Sequence, residues 1–325
     1  LSFGSAGFSD KDLYDRMLKA KELRDSQFGP DTDAYRVINS EGDFLPGLIV
    51  DRYGNGLCMQ VLTAGMDKMR VAIMENARNI FTPSFIVDRS DEDMMDKEGI
   101  VTAAGVVEGK VPDPMIVVEN GIKIRVDVAG GQKTGLYLDQ RESRKLAGMY
   151  ARGASVADCF CYTGGFSLYC LKGGADRVHS IDTSGAALEI ARENRRLNGF
   201  DAADNDFVNA DIFKFLRQAD EPYSMIVLDP PKFAKHATDV QTAARGYKDI
   251  NLQAIKKIAP GGILFTFSCS HAVDVKLFRQ IVFGAAADSG RSVQVLHVLG
   301  QPPDHPVNLA HREGEYLKGL VLRVQ

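Results

Sequence analysis

Residues 263–271 read ILFTFSCSH, an apolar and β-branched run that stops at Ser268-Cys269-Ser270. A thiol at the end of a buried strand either fills core space or acts as a nucleophile. Four carboxylates hold comparable places upstream. The runs SVADCF, RVHSID, DFVNAD and MIVLDPP are strand patterns that end at or near Asp158, Asp182, Asp211 and Asp229. After the first of them, CYTGGF puts Thr163-Gly164-Gly165 between a strand and a helix. Glycines there let a ligand approach the backbone, and the helix N-terminal N–H groups favour a carboxylate or phosphate. Asp182 follows Gly164 by 18 residues, where an acid suits the two hydroxyls of a ribose. Asp211 has two open readings: it accepts from an adenine amino group, or it caps the helix IFKFLRQ. Asp229-Pro230-Pro231 is a carboxylate on a stiffened turn, suited to holding and polarising a planar base; a well-capped turn is the plainer reading.

The glycine loop lacks the G-x-G-x-x-G spacing, and Tyr162 would crowd a pyrophosphate. Both points count against a Rossmann-type oxidoreductase with a dinucleotide. S-adenosylmethionine has no phosphate. Its amino-acid end needs one backbone turn and one acid, and Asp158 is placed to be that acid.

The elements that must position these groups follow from periodicity. Residues 9–27 read as an amphipathic helix with Ser9 as N-cap. Short β-rich runs, a helix near 66–80 and the strand FIVDRS then suggest a compact α+β unit. Asn120-Gly121 marks a hairpin between alternating strands, read as a bridge into the next domain. From about residue 126, strands alternate with helices, which implies a doubly wound, mostly parallel sheet whose ligands bind at the carboxyl ends of the strands. The expected division is an N-terminal helix and linker over 1–30, an α+β domain over 31–125 and the α/β domain over 126–325.

Bulk composition bounds the rest. The 325 residues are 45% hydrophobic and 25% charged, with net charge -4, so any basic surface for nucleic acid must be local. Five cysteines (58, 159, 161, 170 and 269) show no metal-ligand spacing and suggest free thiols in a reducing, cytoplasmic compartment. No metal is expected. No signal peptide is visible, and no apolar run approaches the ~20 residues of a membrane span. Cys161, in the glycine loop, reads as structural. Cys58, Cys159 and Cys170 read as small core residues, and His271 as part of the following helix start.

In order along the chain, DCFCYTGGF, SIDTS, LDPPKF and FSCS resemble class I S-adenosylmethionine-dependent methyltransferases. More narrowly, GQKTGLYLDQRESR, LDPPKF, RGYKDINLQAI, GGILFTFSCS and EGEYLKGL resemble the large-subunit ribosomal RNA cytosine-5 methyltransferase I family over nearly the whole chain. The resemblance implies a Rossmann-like methyltransferase sheet behind a smaller N-terminal α+β domain. It also implies a PUA domain ahead of that one; none is visible in this chain, which opens on the helix at Ser9. The implied substrate is large-subunit (23S) ribosomal RNA or its precursor, and a homodimer is expected.

The resemblance further implies S-adenosylmethionine held by Asp158, Phe160, Tyr162, Thr163, Gly164, Gly165, Asp182, Ser184, Asp211, Asp229 and Pro230, with Tyr137, Asp139 and Arg141 forming a lid-side wall. In such a reaction Cys269 adds to C6 of cytosine, and Asp229 hydrogen-bonds N3. Two basic runs, Lys133-Arg141-Arg144-Lys145 and Lys235-His236-Arg245-Lys248, are either solvated faces or phosphate contacts. Lys232 is either a cation that activates the thiol or a turn lysine. The nearest rival is a same-fold methyltransferase acting on a guanine nitrogen, and Cys269 is the residue that separates the two.

Overall fold

Ser9 opens the first helix, α1 (Asp10–Asp25). Its hydroxyl accepts the Asp12 N–H, while the Asp12 carboxylate accepts the Ser9 N–H at 2.8 Å, so two orphan donors are satisfied reciprocally. A computed structural model describes residues 8–101, 104–130, 134–218, 222–233 and 239–325. They form two compact units, Leu1–Arg141 with Pro302–Gly314, and Glu142–Gln301 with Glu315–Gln325. No helix among the described residues is long and apolar enough to cross a membrane.

In the first unit, β1 (Ala34–Asn39), β2 (Leu48–Tyr53) and β3 (Gly56–Val61) form an antiparallel meander. Two helices follow, α2 (Ala64–Asp67) and α3 (Arg70–Phe81), then β4 (Phe85–Asp88), α4 (Glu92–Glu98) and β5 (Gly105–Gly109). The sheet order is β1-β2-β3-β4-β5, with β4 parallel to β3 because a helix makes the crossover. Leu13 and Met17 of α1 and Ile73 and Ala77 of α3 pack on Val37, Val50 and Met59 of the sheet. A hairpin of β6 (Met115–Glu119) and β7 (Ile122–Val126) turns through Asn120 and Gly121, both at positive φ, as the Asn-Gly signal requires.

Asp304 ties the returning segment 302–314 into this unit. The Arg141 guanidinium donates to both its carboxylate oxygens, at 3.0 and 2.6 Å, and Arg24 donates to its carbonyl at 2.7 Å. Arg24 is itself held in a bidentate pair with Asp43.

The second unit begins inside α5 (Arg141–Tyr150), at Glu142, followed by β8 (Ser155–Cys159), α6 (Gly165–Lys172), β9 (Arg177–Asp182), α7 (Gly185–Leu197) and β10 (Phe207–Asn209). Next come α8 (Ile212–Gln218), β11 (Tyr223–Leu228), α9 (Val240–Lys257), β12 (Ile258–Ser268), α10 (Val275–Ser289), β13 (Val293–Leu299) and β14 (Lys318–Val324). The sheet order is β10-β9-β8-β11-β12-β14-β13. Five strands are parallel, and β14 inserts antiparallel between β12 and β13. Side chains alternate between faces. Val156, Val227, Phe265 and Phe267 pack with α5 and α6, while Ala157, Ile226, Leu228 and Leu264 pack with α8, α9 and α10. The strand order reverses at β8, which has β9 on one side and β11 on the other. That is the topological switch point where open α/β sheets take ligands.

Candidate active site

The expected strand-end groups all lie at the carboxyl edge of the second unit's sheet. Asp158 and Asp182 are within the last residues of β8 and β9, and Asp211 follows β10 by two residues. Asp229 and Cys269 are the first residues after β11 and β12.

The loop after β8 is strained. Phe160, Tyr162 and Gly164 have φ of 62°, 50° and 81°. For Phe and Tyr this left-handed backbone is costly, and it persists only when neighbours over-determine it. They do so here. The Cys161 N–H donates to the Ile181 carbonyl, the Tyr162 N–H to Asp182 Oδ2 at 2.9 Å, and the Asn194 amide to the Thr163 carbonyl at 3.0 Å. A Cβ on Gly164 would lie 3.1 Å from the Ala191 Cβ of α7, and one on Gly165 would lie 3.0 Å from Arg144 Cδ. These glycines admit neighbouring helices, so helix packing is one reason for glycine at both positions. Gly164→Ala is expected to lower stability by about 1–2 kcal/mol, read from urea denaturation, because it adds left-handed strain to that contact.

Asp158 is 1% exposed. Its Oδ2 accepts from the Ser167 N–H at 2.9 Å and the Ser167 hydroxyl at 2.7 Å. Its Oδ1 is buried with no hydrogen-bond partner among the described residues. Burial pushes the carboxyl up to about 6, against the pull of the Ser167 bonds. A buried carboxylate oxygen without a donor is the group that a ligand ammonium satisfies.

Asp182 is half-buried, with Oδ2 taking the Tyr162 N–H and Oδ1 the Ser184 N–H, each oxygen keeping a further lone pair. Ser184 is the N-cap of α7, its hydroxyl accepting from the Ala187 N–H at 3.2 Å. Asp211 accepts the Lys214 N–H at 2.9 Å and is exposed, the geometry of a cap on α8. Capping thus accounts for both Ser184 and Asp211 without a cofactor.

Asp229 is half-buried and donates its N–H to the Cys159 carbonyl. Pro230 is buried, and Phe233 anchors the turn on Tyr247 with ring centroids 4.7 Å apart. Cys269 is half-buried, whereas the other four thiols are buried and pushed well up by desolvation. Cys161 therefore behaves as a packing residue.

Several expected residues stand elsewhere. His271 is not part of a helix start: α10 begins at Val275 under an Asp274 cap, and the His271 ring lies 5.7 Å from Tyr316. Arg141, expected on a lid-side wall with Tyr137 and Asp139, is 1% exposed, paired with Asp304 and stacked 4.4 Å from Phe28 in the first unit. Arg144 is likewise buried, so neither arginine of the first basic run lies on a solvated face. Residues 141, 144 and 147 share one side of α5, and helical spacing turns that side inward. Lys145, Lys232 and Arg245 are exposed, and Lys248 pairs with Asp288 at 2.7 Å. Lys133, Lys235 and His236 lie outside the described residues.

Lys318, which the sequence does not single out, sits at the same sheet edge. Its ammonium donates to the Ser270 and Tyr316 carbonyls at 2.6 and 2.7 Å, and burial pulls it down to about 8. Its signal lies in the run EGEYLKGL, where a lysine opens the apolar stretch GLVL of the last strand.

Comparison with known proteins places this geometry. A family model described as S-adenosylmethionine-dependent methyltransferase matches residues 100–323. Ribosomal RNA large subunit methyltransferase I of Aeromonas hydrophila is 46% identical, over 97% of this chain and 81% of its own length. The protein of that name from Klebsiella pneumoniae is also 46% identical, over 90% of this chain and 74% of its own. Among solved structures, a SAM-dependent methyltransferase from Streptococcus mutans superposes with a TM-score of 0.86 at 22% identity, covering 99% of this chain and 84% of that one. A methyltransferase solved with SAH has a TM-score of 0.87 at 22% identity, over 99% and 83%. At that identity the two structures speak for the fold. The identities to the curated relatives and the span of the family model go further: this chain is an S-adenosylmethionine-dependent methyltransferase and belongs to the ribosomal RNA large subunit methyltransferase I family.

Proposed function

We propose that this protein transfers a methyl group from S-adenosylmethionine to C5 of a cytosine in large-subunit ribosomal RNA, through a covalent adduct of Cys269 at C6. The observation that carries the reading is the pairing of two strand ends. Strands β11 and β12 are parallel neighbours, and the residues just beyond them are a half-buried carboxyl, Asp229, and a half-buried thiol, Cys269. The large-subunit RNA substrate follows the name that the relatives carry.

The sheet edge fits the cofactor. The unpartnered Asp158 Oδ1 suits the ammonium of its methionine end, and the free lone pairs of Asp182 suit the ribose hydroxyls. When bound, it supplies an electrophilic methyl group. The chain's own residues must make C5 of cytosine nucleophilic. The Cys269 thiolate adds to C6, forming a C–S bond and moving the C5–C6 electron pair onto C5. The Asp229 carboxyl holds N3 through a shared proton and stabilises the charge that develops on the ring. After C5 takes the methyl group, its hydrogen leaves to a base as a proton. The released pair restores the double bond and expels the thiolate. Exposed Lys232 and Arg245 are available to RNA phosphates.

Asp158→Asn is expected to weaken cofactor binding by ~30-fold or more, about 2 kcal/mol, measured by isothermal titration. In the wild type, affinity should fall as pH drops through about 6, because protonation removes the charge that receives the ammonium. The Asn variant should lose that pH dependence. The whole reading is tested by methyl transfer to undermodified large-subunit RNA, with the modified nucleoside identified by mass spectrometry. 5-Methylcytidine is the expected product, and a methylated guanosine would favour the rival chemistry.

A further inference from the structure

We propose that Lys318 is a positioning residue for this reaction: its ammonium, anchored over the end of β12, holds the Cys269 sulfur as a thiolate ready for the base. The inference rests on the reading of Cys269 as the nucleophile.

Strand β14 runs antiparallel to β12, with Lys318 directly opposite Ser268. From there the side chain reaches past the strand end to the Ser270 carbonyl at 2.6 Å, and it also donates to the Tyr316 carbonyl at 2.7 Å. The anchors thus lie on both sides of Cys269: the opposed residue 268 and the bonded residue 270. Lys318 is 4% exposed. An ammonium has three donors. Two reach neutral carbonyls, and the third has no partner among the described residues. A buried cation hydrogen-bonded only to carbonyls is incompletely compensated, and a neighbouring anion is what completes it.

Among the described residues, three groups act on its charge. Cys269 and Asp274, the cap of α10, act on Lys318 as favourable partners, while Lys232 from the turn after β11 opposes it. Tyr247 of α9 also senses Cys269, but burial raises its phenol and its hydroxyl lies 3.0 Å from Ser270 Oγ, so it remains neutral. His271, next but one to Cys269 in sequence, has its ring 5.7 Å from that of Tyr316. Burial alone pushes a thiol up, as it does for the other four cysteines, so a thiolate at Cys269 requires a cation beside it. A lysine that merely strapped two strand ends together would serve as well at any distance from the sulfur. This one is anchored on the residue after it.

The test follows iodoacetamide alkylation of Cys269 in the full chain against pH, read by peptide mass spectrometry, in wild type, Lys318→Met and Lys318→Arg. Wild type should show half-maximal reactivity below the ordinary thiol value of ~8.5. Lys318→Met should move that point up by about one pH unit or more, cutting the rate at neutral pH roughly tenfold, and Lys318→Arg should restore most of it. An unchanged profile in a Met variant with wild-type circular dichroism overturns the proposal. If that variant does not fold, the wild-type curve decides: a midpoint at or above ~8.5 overturns the proposal and a lower one supports it. The nucleophile reading fails separately, by continued 5-methylcytidine formation in Cys269→Ala.

Discussion

Replacing Cys269 with alanine is expected to lower the rate of methyl transfer to large-subunit RNA by ~10³-fold or more, with cofactor affinity changed by no more than about twofold. A factor of ~10³ is about 4 kcal/mol of barrier, the scale lost when a covalent step is removed outright. No other thiol can stand in. Cys58, Cys159, Cys161 and Cys170 are buried and pushed well up by desolvation, so none offers a thiolate at neutral pH. Single-turnover transfer from labelled cofactor, with titration calorimetry of cofactor binding, separates the two effects. If the thiol only filled space, truncating a half-buried cysteine would cost a fraction of the fold's stability and leave the rate alone.

Asp304→Asn is expected to destabilise the protein by ~3–5 kcal/mol at neutral pH, the usual cost of stripping one partner from a buried ion pair. The Arg141 guanidinium would then remain buried without its counter-charge, and of the two oxygens that accept from it one would become an amide NH2 that cannot accept. The wild type should also show an acid limb. Burial raises the Asp304 carboxyl, but the bonds from His305 and Arg141 outweigh it and hold the group well below the usual carboxylate range. A depressed folded-state value contributes stability above the unfolded value of ~3.9, and this stability is lost as pH falls below that point. Urea denaturation followed by circular dichroism between pH 7 and pH 3 checks both. The Asn variant should be weaker at pH 7 and should lose less stability on acidification than the wild type.

The carboxyl edge of the methyltransferase sheet was legible because each of its groups sits at a local pattern change. An apolar run that stops at an acid or a thiol reads as a strand end, and the β/α rhythm then puts those ends on one edge. The Ser9 cap and the Asn120-Gly121 turn were legible for the same reason, since their signals lie within four residues. What escaped depends on distance. Arg141 and Asp304 are 163 residues apart, and nothing near Arg141 marks its partner, so a buried ion pair looked like part of a basic run. Lys318 is positioned by the antiparallel insertion of β14 between β12 and β13, and strand order at the late edge of a sheet leaves no local trace. The glycine loop was located correctly by its composition, but the contact of Gly164 with Ala191 lies on a helix that the loop's own sequence does not describe. Asp211 shows the opposite limit: both of its readings were visible, and only the 2.9 Å bond from Lys214 favours the cap.

The central claim is that the Cys269 sulfur bonds to C6 of a cytosine, and trapping that bond tests it most directly. RNA carrying 5-fluorocytidine has no removable hydrogen at C5, so an adduct formed there cannot resolve by β-elimination after methyl transfer. Incubated with the protein and S-adenosylmethionine, such RNA should give a complex that survives denaturing electrophoresis, with the RNA fragment mapped by mass spectrometry to Cys269. No stable complex, together with methylation of ordinary RNA at full rate by Cys269→Ala, would contradict the account and leave the thiol as a packing residue.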